Sequence, residues 1–451
     1  MNPFAPKLNA RRLRRQDGMA LVLVLLVIAV LSLLGIAGTR SAQTELQMGG
    51  KELVGRQALS AAEAGINHAY SLISANLAVR PNPPSACDTC WGFDSELSGG
   101  GTGGALASLG TTATLGSTSY RFRVFGGGTA DGYYVQAVDN YDETSGANNP
   151  ATDRDAKIYL VSRARVGSAE RIVTALVTGS SLFPMGVFGN RYVTVAGGAT
   201  MDGFDSRDGA YSAATAGSIG VRSDGNIDVS GTPTVLKGVP TAGGTVSVGG
   251  GATVTGTPIN GAPTMNFPPV PVCGPPYSSS TGISCTPATT PSCYDQSTGA
   301  LSSTANYQTI TLTGGTYCFK SITLQSHSAL QVSSPVNLYL TGLFDASGGT
   351  VVNTTGAASN LKLFDSYVST YKNNGDPNNN QSIQLSGGQQ TYMAVYAPQA
   401  AVSFSGNSEF FGSVIADYVS DTGGTPVHYD EALVNVLGPG AGLSKWHEVR
   451  N

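Results

Sequence analysis

The chain has 451 residues, a net charge of −4 at pH 7 and 12% charged residues, about half the ~25% of an ordinary globular protein. Without a basic stripe beyond the N-terminus, nucleic acid is not an expected partner. Low charge with steady Val, Ile, Leu and Tyr excludes disorder, and 59 glycines point to a long, turn-rich β protein.

Lys7, Arg11, Arg12, Arg14 and Arg15 precede an apolar run. Met19 to Gly38 then carries 20 residues without a charge. As a helix this run spans about 30 Å, the hydrocarbon thickness of a bilayer. The basic cluster holds the N-terminus in the cytoplasm and sends the body outward. A cleaved secretory signal has a shorter apolar region, although Ala37 or Ala42 could serve as small residues at a cleavage site. A plain anchor fits the length but leaves the following segment unexplained. Beyond Arg40, Leu59, Ala62, Ile66, Ala69, Ile73 and Leu77 form one apolar helical stripe. Arg80-Pro81-Asn82-Pro83-Pro84 ends it. The pattern predicts one helix over 19–78, with Gly49-Gly50 as a soft point because glycine costs about 1 kcal/mol in a helix.

A basic leader ending in Gly18, Met19, the apolar run and an amphipathic continuation resemble the class III signal of type IV pilins and pseudopilins. Gln16 to Ala69, with Thr44-Glu45, Met48 and Gln57-Ala58 to Ala61-Ala62-Glu63-Ala64, resembles the N-terminal region of PilX-type minor pilins. The resemblance implies that a prepilin peptidase cuts Gly18–Met19 and methylates the new terminus. The helix stays attached, single-pass in the inner membrane with its N-terminus cytoplasmic, and later packs in a periplasmic or extracellular filament. Implied partners are other minor and major pilins, the peptidase and the inner-membrane assembly platform. Most major pilins carry glutamate as the fifth mature residue; here that position is Leu23. A buried ammonium needs a partner, so the missing acid suits a rare position such as the tip rather than the repeating shaft.

The sequence divides into a leader (1–18), a pilin helix (19–79), a Pro- and Gly-rich linker (80–118), an antiparallel sheet (119–180) and a Gly-rich β domain (181–451) with a Cys/Pro-rich insertion at 262–300. Tyr120–Phe125, Tyr133–Val138, Ile158–Val166 and Ile172–Val177 read as a meander on which the helix packs. The expected class is thus α+β followed by all-β. Short strands between Gly, Asn and Ser turns predict a parallel β-solenoid for the second part, with a β-sandwich as the alternative.

Asp139, Asn140, Asp142, Glu143, Asp153 and Asp155 fall between two predicted strands. Their hard oxygens would suit Ca²⁺, but the spacing is not an EF-hand and Arg154 offsets charge, so a solvated turn is the favoured reading. No cofactor is required. Cys87, Cys90, Cys273, Cys285, Cys293 and Cys318 are disulfide candidates in an exported body. His428, Asp430 and Glu431 form the best polar cluster, with Ser408 nearby. No nucleophile-elbow, P-loop or HExxH pattern accompanies them, so a hydrogen-bonded cap is expected and not an enzyme. The long C-terminal β region is expected to present a surface or glycan ligand site. The alternatives are an uncleaved anchored adhesin and a secreted polysaccharide-active enzyme.

Overall fold

The computed structural model describes residues 16–79, 92–101, 103–108, 131–140, 149–289, 292–325, 327–370, 383–386, 390–406 and 409–449. A long N-terminal helix leads into a large β-rich body of antiparallel and mixed sheets.

Helix α1 (Gln16–Val79) runs unbroken through Gly49-Gly50. Its two halves differ. Met19 to Leu34 expose every large apolar side chain, by 46% to 77%. From Ala58 onward, Ala62, Ile66, Ala69, Ile73 and Leu77 are buried, the stripe expected from the sequence apart from half-buried Leu59. This stripe packs on an antiparallel sheet of β1 (Gly132–Asp139), β2 (Lys157–Val166) and β3 (Ala169–Ser181). The approach is close at Gly65, where an added Cβ would lie 2.9 Å from the Tyr133 ring and closer still to the Ser162 Oγ.

Tyr120–Phe125, expected as the first strand of this sheet, lies outside the described residues. The sheet's fourth strand is instead Leu437–Val449, which pairs antiparallel with β3. It also holds the helix, since the Tyr70 hydroxyl donates to the Ala441 carbonyl at 2.6 Å. Within 80–118, read above as linker, helix α2 (Asp94–Gly101) and a 3-10 turn at Gly104–Ser108 bury Phe93, Leu97 and Leu106 against the same core.

The remainder is dominated by parallel pairing. Strand β4 (Val187–Val195) enters the middle of the stack. It pairs in parallel with Glu409–Asp421 on one side and with Val221–Ser223 and Asn226–Val229 on the other. From there the chain winds outward to Val246–Val248 and Thr253–Val254. A proline-rich stretch then carries it to the opposite end. Winding resumes at Ala300–Ser302 and returns through Gly315–Phe319, Val336–Leu340, Leu361–Asp365 and Gln390–Ser405 to Glu409–Asp421. Parallel strands in register stack equivalent side chains in columns, and alternate residues turn inward. Leu338, Leu363 and Val395 make one such inward column. No single turn could bury that face alone; stacking neighbours supply the core.

Candidate functional site

Three regions carry candidate residues. The first is the exposed half of α1. Met19–Leu77 is long and apolar enough to cross a membrane. The Gly18–Met19 bond lies in the helix's first turn, and Leu23 is 66% exposed on the apolar stretch. No acidic side chain occurs between Met19 and Glu45.

The second is the polar cluster expected around His428. The structure separates its members. His428 and Asp430 sit on the buried strand Val427–Asp430, which runs parallel to β5 (Thr200–Phe204). His428 stands in register with Asp202 and its Nδ1 meets the Asp202 Oδ1 at 2.6 Å. Tyr211 donates to the other Asp202 oxygen at 3.0 Å and Lys237 at 3.3 Å. Burial alone would raise the Asp202 pKa. Hydrogen bonds from His428, Tyr211 and Lys237, with the His428 charge, outweigh burial and hold it below the ordinary value. The imidazole lies between Tyr211 (3.9 Å) and Phe411 (4.7 Å). Asp430 instead caps a 3-10 turn, accepting from the Ala432 and Ser206 amides, and burial raises its pKa. Glu431 lines an open cavity of about 380 Å³ with Asp205, Asp208 and Ser212; burial and then the Asp205 charge raise its pKa. Ser408 lies outside the described residues. Asp202, Tyr211 and Lys237 were missed from the sequence because their link to His428 spans about two hundred residues and depends on the stacking order.

The third is the acidic loop. Asp142 and Glu143 lie outside the described residues. Asp153 is buried and caps backbone: its carboxylate accepts from the Phe93, Asp155 and Lys157 amides, and burial pushes its pKa to about 8. Asp155 accepts from the Lys157 Nζ and the Asn140 amide. Asp139 is buried at the end of β1. Among the described residues no three His, Cys, Asp or Glu side chains gather as a metal cage. Cys273 is bonded to Cys318 and Cys285 to Cys293, while Cys87 and Cys90 lie outside the described residues.

Residues 17–67 match the PilX N-terminal family. The chain thus opens with a pilin-like region similar to the PilX N-terminal family. This region covers the exposed half of α1 and the start of its packed half. Residues 331–436 match a domain of unknown function, DUF7305, which takes in the later part of the returning half, from within Ala329–Val332, and stops before the strand that rejoins the helix-bearing sheet. No curated protein matches the chain. Among solved structures, the competence-associated pilin ComZ from Thermus thermophilus is similar at 12% identity and a TM-score of 0.30, over 88% of this chain and 97% of that one.

Proposed function

We propose that this chain is a minor pilin that enters a type IV pilus or related filament and carries its β domain outward. The observation that carries this reading is the division of α1. One half bears an unbroken apolar surface with nothing packed on it, and the other is fixed to an antiparallel sheet. A filament core supplies the missing cover for the first half. Before assembly the bilayer does so, with the N-terminus cytoplasmic.

Prepilin peptidase cleaves Gly18–Met19 and the new terminus is methylated. Leu23 in place of an acid leaves the subunit unable to neutralise a neighbour's terminal ammonium, which supports a position at or near the tip. There it promotes assembly with other pilins and presents the β domain, which we take as a parallel β-solenoid on the strength of its successive in-register parallel pairings. The role is structural and adhesive, not enzymatic, and needs no cofactor.

The test is the N-terminal mass of membrane-extracted protein with and without active prepilin peptidase. A chain starting at N-methylated Met19 only when the peptidase is active supports the reading. A chain retaining Met1 in both strains overturns it and leaves an anchored adhesin. The tip position is tested by labelling filaments: wild-type label confined to ends, and label along the shaft for Leu23→Glu, are expected.

A further inference from the structure

Tyr307 and His327 occupy equivalent places in adjacent turns of the stack. Each precedes by two residues the in-register pair Thr309 and Ala329. Their rings stack face to face, 4.7 Å apart and 19° from parallel. Both are in the left-handed backbone region, with φ of 61° and 63°, where residues other than glycine are disfavoured. Tyr307 is nonetheless 69% exposed and His327 is exposed. The fold gains little packing from either side chain, and glycine would suit both backbones better. Strained backbone holding exposed rings is the pattern of a ligand surface.

The two turns are rigid beneath the rings. Gln308, next to Tyr307, is fully buried; it accepts from the Thr304 amide and donates to the Pro287 carbonyl at 2.8 and 2.9 Å. Ser328, next to His327, is also buried and donates to the Ala305 carbonyl at 3.0 Å. The His327 amide donates to the Gly348 carbonyl at 2.8 Å. Asn306 and Gln325 flank the pair in sequence and are exposed. Apart from His327, no Asp, Glu, Lys, Arg or His lies between Asp295 and Lys320 or between Lys320 and Asp345.

We propose that Tyr307 and His327 form a preorganised platform for a neutral carbohydrate. The apolar C–H face of a sugar ring would lie on the Tyr307 ring, and the Asn306 and Gln325 amides would meet its hydroxyls. Aromatic plates also stack nucleobases, but such sites line the groove with several Lys and Arg for the phosphates, and between Asp295 and Asp345 the sequence has Lys320 alone. This inference deepens the reading of the β domain as the presented part of a pilin.

The test uses the full-length protein in detergent micelles, by affinity electrophoresis through hydroxyethyl cellulose, galactomannan and dextran, with hyaluronan as the anionic comparison. Retardation by at least one neutral polymer is expected. Tyr307→Gly and His327→Gly should weaken it at least ten-fold, while their melting temperatures stay equal to wild type or rise. Tyr307→Phe should stay within about three-fold. No retardation by any neutral polymer overturns the platform. So does wild-type binding by Tyr307→Gly, or a binding loss that comes with a lower melting temperature. Filament incorporation is scored separately. A wild-type chain that binds the polymer but never enters filaments keeps the platform and overturns the pilin reading.

Discussion

The Tyr396 hydroxyl donates to the Pro268 carbonyl at 2.5 Å, joining residues 128 positions apart. It is one clasp of a strap that crosses the stack. Arg222, Phe188, Ile415, Tyr396, Phe364, Tyr339 and Cys318 stand in register on seven successive strands. The strap lies along this column. The Met265 amide bonds the Asp224 carboxylate, Phe267 packs between Phe188 and Tyr396, and Cys273 is bonded to Cys318. Six steps of about 4.8 Å make about 29 Å. An extended proline-rich chain covers that in about ten residues at ~3.1 Å each.

The Cys273–Cys318 bond therefore fixes the far end of the strap and closes a loop over a sequence separation of 45. Cross-linking a loop of that length contributes up to about 4 kcal/mol by restricting the unfolded chain. Cys273→Ser with Cys318→Ser should lower stability by roughly 2–4 kcal/mol. Limited proteolysis should then cut first within 262–282. Equal melting of the oxidised and doubly substituted proteins would remove the strap's role.

Local periodicity made α1 and its buried stripe legible, because residues three and four apart share a helix face. Val336–Leu340 and several other short strands were partly legible as apolar runs between turns. The order of the stack was not. Nothing local in Val187–Val195 says that it pairs with Glu409–Asp421, since parallel register is set by distant columns. The same reason hid Asp202 as the partner of His428 and Leu437–Val449 as the fourth strand of the small sheet. Tyr307 and His327 passed unnoticed because a positive φ has no sequence signature in Tyr or His.

The Asp202–His428 pair sets an acid limit. The folded Asp202 pKa lies below its unfolded value, so the native chain binds fewer protons between the two. Its contribution is present above the unfolded pKa of about 3.9 and is lost as pH falls through the folded value. His428→Leu leaves a buried carboxylate with only Tyr211 and Lys237. It should cost about 3 kcal/mol and raise the pH of acid unfolding, followed by near-UV circular dichroism. Unchanged acid unfolding in this variant would show that the pair is not the limiting contact.

Lys362 works in the opposite sense. It is fully buried on Leu361–Asp365, and its Nζ donates to the Ser359 carbonyl at 2.6 Å. Burial pulls its pKa down to about 7. Between that value and the unfolded value of about 10.4, the unfolded chain holds a proton that the native chain lacks. Stability therefore rises with pH across this window through Lys362. Lys362→Met fills similar volume without the amine. It should raise stability by roughly 1–3 kcal/mol at pH 7 and flatten the rise above pH 7, measured by urea unfolding at several pH values. A destabilised Lys362→Met at every pH would mean that the Ser359 hydrogen bond outweighs desolvation.

Two glycines of α1 should respond to the same substitution with opposite signs. A Cβ added at Gly50 would meet nothing within 4 Å, whereas at Gly65 it would lie 2.9 Å from the Tyr133 ring and closer still to the Ser162 Oγ. Alanine gains about 1 kcal/mol of helix propensity at either place. At Gly50 that gain stands alone, so Gly50→Ala should stabilise by up to about 1 kcal/mol. At Gly65 the helix must move off β1 and β2, and overpacking costs about 1–3 kcal/mol. Gly65→Ala should therefore destabilise by about 1–2 kcal/mol, and Gly65→Leu by more. Thermal unfolding in detergent micelles checks both. A stabilised Gly65→Ala would show that the helix does not lie this close to the sheet, and the buried stripe from Ala62 to Leu77 would need a looser seat.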